Sequence, residues 1–197
     1  MTTKINNKAY WEDKYLKNAT GWDLGLVSPP LKAYINQLDN KGLNILIPGA
    51  GNSYEAEYLF EQGFLNTKVL DIAQSPLNNL KHRVPKFPDD QLIHQNFFDH
   101  DDTYDIIFEQ TFFCALPPEL RADYVDKIHE LLKPKGKLVG LLFTFPLTEN
   151  GPPFGGSQTE YISLFKEKFD LNILEESYNS FPKRQGNELF IKFTKQP

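Results

Sequence analysis

The chain has one cysteine, Cys114, among its 197 residues. A single thiol cannot close a disulfide within the chain, so the fold must rest on its core, and a cytoplasmic setting is expected. Long apolar runs are missing as well. The longest, residues 138–145, is far shorter than the roughly 20 residues that a membrane-crossing helix needs. The opening stretch MTTKINNKAYWEDKYL has no apolar segment of signal-peptide length. No basic block occurs, and the formal net charge is −5. Nucleic-acid backbones require clustered lysine and arginine, so nucleic acid is not an expected partner. His82, His94, His100 and His129 are scattered without zinc-site spacing. Asp99, Asp101 and Asp102 read as a solvated loop, so no metal is expected.

What is present is an ordinary globular mixture, 40% hydrophobic and 24% charged, with a high 14% of aromatic residues. The length suits one domain, taken here as 1–197. Nothing sets the oligomeric state, and a monomer is the working expectation. Apolar patterning predicts strands at 43–47, 67–73, 91–94, 104–108 and 137–145. Helices are predicted at 53–62, 75–83, 118–132 and 159–169. Gly63 stops the first of these, Asn52 or Ser53 caps it, and Pro76 suits the first turn of the second. Two closing strands, 171–178 and 188–194, follow one another without a helix. The class is therefore α/β: a mostly parallel sheet with helices on both faces and an antiparallel C-terminal hairpin. This combination resembles the Rossmann-like class I methyltransferase fold, whose sheet has seven strands.

The stretch NILIPGAGNSYEAEYL places Gly49 and Gly51 where the first strand hands over to a helix. Glycine there gives a tight turn or lets a ligand approach bare backbone, and the helix start offers unpaired N–H groups. Asp71 closes the second strand 20 residues after Gly51, the spacing of a carboxylate that grips a ribose. A dinucleotide site would want a third glycine, and that position is Tyr54. S-adenosylmethionine has no phosphates and needs only the first part of the loop. Asn96 and Phe97, after the third strand, would then lie against its adenine. A nicotinamide oxidoreductase and a non-catalytic cofactor-binding sensor stay open beside the methyltransferase.

Longer segments carry a more specific likeness. YWEDKYLKNATGWDLG, IPGAGNSYE, VLDIAQSPL, YDIIFEQTFFCALPPELRADYVDKIHELLKPKGKL, NGPPFGG and RQGNELFIKF span Tyr10 to Phe193. In them the chain resembles the thiopurine S-methyltransferase family, with its plant halide and thiol methyltransferase branch. The resemblance implies S-adenosylmethionine as cofactor and methyl transfer to a small soft nucleophile: a thiol, a thiopurine, or a halide- or thiocyanate-like anion. It implies cofactor contacts at Trp11, Tyr15, Trp22, Gly49, Asp71, Asn96 and Phe97, and an acceptor-facing arginine at Arg121. The plant branch has tryptophan at the position of Tyr15, and a tyrosine near the acceptor where this chain has Gln110. That change puts anion specificity in question, because an amide both donates and accepts hydrogen bonds. Ring faces at Trp11, Tyr15 and Trp22 suit a sulfonium cation, and residues 1–30 are expected to act as an aromatic lid. Cys114 reads as a small buried hydrophobe, and residues 149–156 as a substrate rim.

Overall fold

The computed structural model describes residues 7–197; the first six residues of the expected domain and lid lie outside that range. Seven strands form one sheet: β1 Ile45–Pro48, β2 Thr67–Asp71, β3 Leu92–His94, β4 Tyr104–Gln110, β5 Leu132–Phe143, β6 Phe169–Glu176 and β7 Glu188–Lys195. Their order is β3-β2-β1-β4-β5-β7-β6. The pairs from β3 through β5 are parallel, and β7 runs antiparallel to both β5 and β6. The helices are α1 Lys8–Leu16, α2 Pro29–Ile35, α3 Tyr54–Glu61, α4 Gln74–Arg83, α5 Arg121–Leu131 and α6 Gln158–Phe165.

Side chains alternate across a strand, so neighbouring residues of β1 and β4 enter opposite layers. Leu46 and Ile107 join the core under α5 and α6, with Tyr124, Ile128, Tyr161 and Phe165. Ile45, Ile47, Ile106 and Phe108 join the core under α2, α3 and α4, with Leu31, Ile35, Leu59 and Leu80. Each fully buried aliphatic side chain contributes about 1.5–3 kcal/mol, and both clusters include residues with no exposed surface.

Several details differ from the sequence expectations. Helix α2 was not anticipated, although Ser28 before Pro29-Pro30 is a helix-start pattern. The predicted helix over 118–132 divides into a 3₁₀ turn, Pro118–Leu120, and α5. Strand β5 begins at Leu132, before the KPKG stretch, because Lys135 takes a positive φ of 64° and the ladder with β4 shifts register there. Ser53 stands at the cap position of α3, but at φ 60° its hydroxyl donates to Gly51 O (3.0 Å) and does not cap the helix. No helix of the described residues is long and apolar enough to cross a membrane.

Candidate active site

Strand order reverses between β1 and β4, and in open α/β sheets ligands sit beyond the C-terminal strand ends at that point. A cavity of about 540 Å³ opens there. Its floor comes from the sheet ends: Gly49, Gly51, Asp71, Asn96, Phe97 and Gln110 all line it. Its roof comes from α1 and the loop after it, through Trp11, Tyr15 and Trp22.

Gly49 and Gly51 both take φ +55°, a conformation that L side chains avoid. Their surroundings differ. A Cβ on Gly49 would stand 2.2 Å from the Phe112 ring, so the bare face of Gly49 is filled by the protein itself. A Cβ on Gly51 would meet only Tyr15 Oη at 3.5 Å and Trp22 Nε1 at 3.7 Å. Room for a ligand to approach bare backbone is therefore greater at Gly51, while Gly49 is needed for packing and for the turn. The Gly51 amide donates to Asp71 Oδ2 (3.3 Å) and the Ala73 amide to Oδ1 (2.8 Å). Burial pushes the Asp71 carboxyl up to about 7, against the lowering effect of those two donors.

In the roof, Trp22 meets Trp11 and Tyr15 edge to face, with ring centroids at 5.5 and 5.8 Å. Burial first, and then the charge of Asp71, push the Tyr15 phenol far above its usual range, so it stays a neutral hydroxyl. Arg184 reaches the cavity wall from the far end of the chain. Its Nη2 donates to Trp22 O (2.5 Å), its Nη1 pairs with Glu188 (3.2 Å), and it lies over the Phe143 ring at 5.5 Å. Glu55, a buried wall residue, accepts the Ser28 amide at 2.8 Å.

Gln110 ends β4 and faces this space. Both its Oε1 and Nε2 are buried and without a hydrogen-bond partner. The turn that carries it is shaped by its neighbour Glu109, which is fully buried. Glu109 accepts from the Phe112 and Phe113 amides (2.7 and 2.9 Å) and from the Tyr124 hydroxyl (2.6 Å). Burial pushes Glu109 up to about 7.

The remaining expected residues are placed as follows. Asn96 Oδ1 accepts the Phe98 amide at 3.2 Å, and Phe97 is 3% exposed and packed against Phe112 and Tyr124. Most of the Phe97 ring thus serves the core, and Phe98 beside it also lines the cavity. Arg121 is not among the lining residues. It is buried behind the wall, paired with Glu160 (2.5 Å), donating to Gly155 O (2.7 Å) and lying over Phe113. It therefore staples the Pro- and Gly-rich loop, whose Pro152 and Pro153 do line the cavity. Cys114 is a buried thiol at the cavity edge, kept protonated by burial. Asp102 pairs with Lys68 at 2.6 Å. Among the described residues, no group of three His, Cys, Asp or Glu side chains is placed to hold a metal ion. Sequence reasoning missed Arg184 and Glu55, whose partners lie 162 and 27 residues away.

A family model described as thiopurine S-methyltransferase matches residues 6–195. The chain belongs to the thiopurine S-methyltransferase family. Thiocyanate methyltransferase 1 of Arabidopsis thaliana is 27% identical over 199 residues, covering 94% of this chain and 84% of that protein. The thiopurine S-methyltransferase of Acinetobacter baylyi is 25% identical over 204 residues, covering 90% and 92%. Among solved structures, the fold matches Burkholderia thailandensis 1,6-didemethyltoxoflavin-N1-methyltransferase, with S-adenosylhomocysteine bound, at a TM-score of 0.76 and 18% identity. That match covers 96% of this chain and 87% of the other. This member of the family is an S-adenosylmethionine-dependent methyltransferase with the class I fold. Tyr54, in the place of a dinucleotide loop's third glycine, instead starts α3 and lies beneath the Arg83 guanidinium at 4.5 Å. The cavity suits the family's cofactor: a buried carboxylate, bare backbone at Gly51 and a roof of rings are what a sulfonium nucleoside requires.

Proposed function

We propose that this methyltransferase acts on the sulfur of a small acceptor that also presents a hydrogen-bond donor next to that sulfur. The observation that carries the reading is the unpartnered Gln110 amide in the cavity. A buried polar atom left unpaired costs about 1–3 kcal/mol. A halide or thiocyanate would satisfy only the Nε2 donors and leave Oε1 alone. A thiopurine or other thio-heterocycle with a ring N–H beside its sulfur serves both atoms: the sulfur accepts from Nε2 and the ring N–H donates to Oε1. Relatives named thiopurine S-methyltransferase fit this choice, whereas those named thiocyanate methyltransferase act on the anion it disfavours, so the choice rests on Gln110.

In this reading Asp71 accepts the ribose hydroxyls, and the Asn96 amide and the Phe97-Phe98 edge face the adenine. Trp11, Tyr15 and Trp22 wall the sulfonium end and keep water out. Bound there, S-adenosylmethionine supplies a methyl group already activated by the positive charge of its sulfur. The chain's own part is alignment, worth about 7–11 kcal/mol in favourable model reactions. Arg184, neutralised by Glu188, helps hold the Trp22 segment of the roof through the Trp22 carbonyl. Arg121 acts from behind the wall, through the loop that carries Pro152 and Pro153. The single unpaired thiol supports a cytoplasmic setting.

Initial rates with a thiopurine and 2-mercaptopyridine, set against thiocyanate and iodide, test the reading. The thio-heterocycles are expected to lead by at least tenfold in kcat/KM, and Gln110→Leu should narrow that gap. A wild-type preference for thiocyanate or iodide would overturn it.

A further inference from the structure

Helix α4 has no side-chain cap of its own, because its N-cap residue is Ala73. Its first turn is nevertheless satisfied. The Gln74 amide (2.9 Å), the Ser75 amide (3.2 Å) and the Ser75 hydroxyl all donate to the carboxylate of Glu12, more than 60 residues away on α1. The preceding amide, Ala73, donates to Asp71. Three successive amides are thus shared between two carboxylates, one in the cavity floor and one on the roof helix.

The roof helix is otherwise held by its rings, with Trp11 and Tyr15 partly buried against Trp22. None of its residues is fully buried. Three of its residues line the cavity: Trp11 beside Glu12, Lys14, and Tyr15 one turn on. An ionic cap with three donors therefore stands beside the packing of Trp11 and Tyr15 on Trp22 as a main contributor to docking α1.

We infer that Glu12 is a positioning residue for the cofactor, holding the aromatic roof over the site by capping α4 in place of Ala73. The inference rests on the cofactor lying beneath Trp11 and Tyr15. When α1 is undocked the roof rings leave the site. The apparent dissociation constant then rises in inverse proportion to the docked fraction. The same loss frees the α4 turn that braces Asp71.

Two measurements on the full chain decide this. The first is hydrogen exchange without ligand. Glu12→Ala should accelerate exchange at the Gln74 and Ser75 amides and through α1, leaving β1, β4 and β5 unchanged. The second is calorimetric titration with S-adenosylhomocysteine. Affinity should fall about 5- to 30-fold in Glu12→Ala, the upper part of the range that loss of a helix cap corresponds to, and less in Glu12→Gln, which keeps an acceptor. A purely structural role would instead speed exchange throughout the sheet and lower the melting temperature by many degrees. Unchanged exchange at Gln74 and Ser75, or an affinity within twofold of wild type, overturns the inference. If the wild type fails to bind S-adenosylhomocysteine, the cofactor's placement is overturned, and exchange alone then shows whether Glu12 holds α1.

Discussion

The floor and the roof of the cavity are built in opposite ways. The floor belongs to the sheet: Gly49, Asp71 and Gln110 sit at the ends of strands whose residues are almost all buried. The roof is a nine-residue helix with no fully buried residue and the Trp22 loop after it, fixed by a carboxylate cap and by ring edges. A preformed floor gives orientation at small entropic cost.

That contrast can be broken most severely from below. Asp71→Ala should weaken S-adenosylhomocysteine binding on the order of 100-fold, since two hydroxyls lose hydrogen bonds to a charged group. Calorimetry checks this, and an unchanged affinity would remove Asp71 from the ribose site. Next come the two glycines. Gly49→Ala adds a clash with Phe112 to the positive-φ cost and should destabilise the fold by at least about 2 kcal/mol. Gly51→Ala, whose Cβ would make only ordinary contacts with Tyr15 and Trp22, should lose about 1 kcal/mol by denaturant melts. Equal losses would mean that floor and rim are packed alike.

A gentler perturbation is pH. Asp71 is held up to about 7 by burial, and ligand hydroxyls favour its ionised form. Affinity for S-adenosylhomocysteine should therefore fall about tenfold from pH 8 to pH 6, and the dependence should vanish in Asp71→Asn. Stability of the ligand-free protein carries the opposite sign. The native state keeps this proton to higher pH than the unfolded chain, so the contribution of Asp71 declines as pH rises from about 4 to about 7. The smallest effect is expected on the outer face of the roof. Leu16 is 72% exposed, and Leu16→Ser should change stability by less than about 0.5 kcal/mol.

The sheet was legible because strand periodicity and Gly–Asp spacing are local signals: β1, β2 and Asp71 fell where the pattern put them. The residues that join distant segments were not. Nothing near Arg184 announces that it will reach Trp22, and nothing near Glu12 announces a helix start that has no cap of its own. Arg121 shows the reverse case. A family likeness marked it as facing the acceptor, but the Glu160 carboxylate and the Gly155 carbonyl hold its guanidinium behind the cavity wall. Helix α2 was overlooked because seven residues opening with two prolines give too short a period to stand out.

The two tryptophans of the sequence, Trp11 and Trp22, both look into the cavity. Ultraviolet emission from this protein therefore originates almost wholly from indoles at the binding site. Entry and departure of an unlabelled nucleoside can be timed by that light alone, and replacing either indole with phenylalanine assigns the change to one ring.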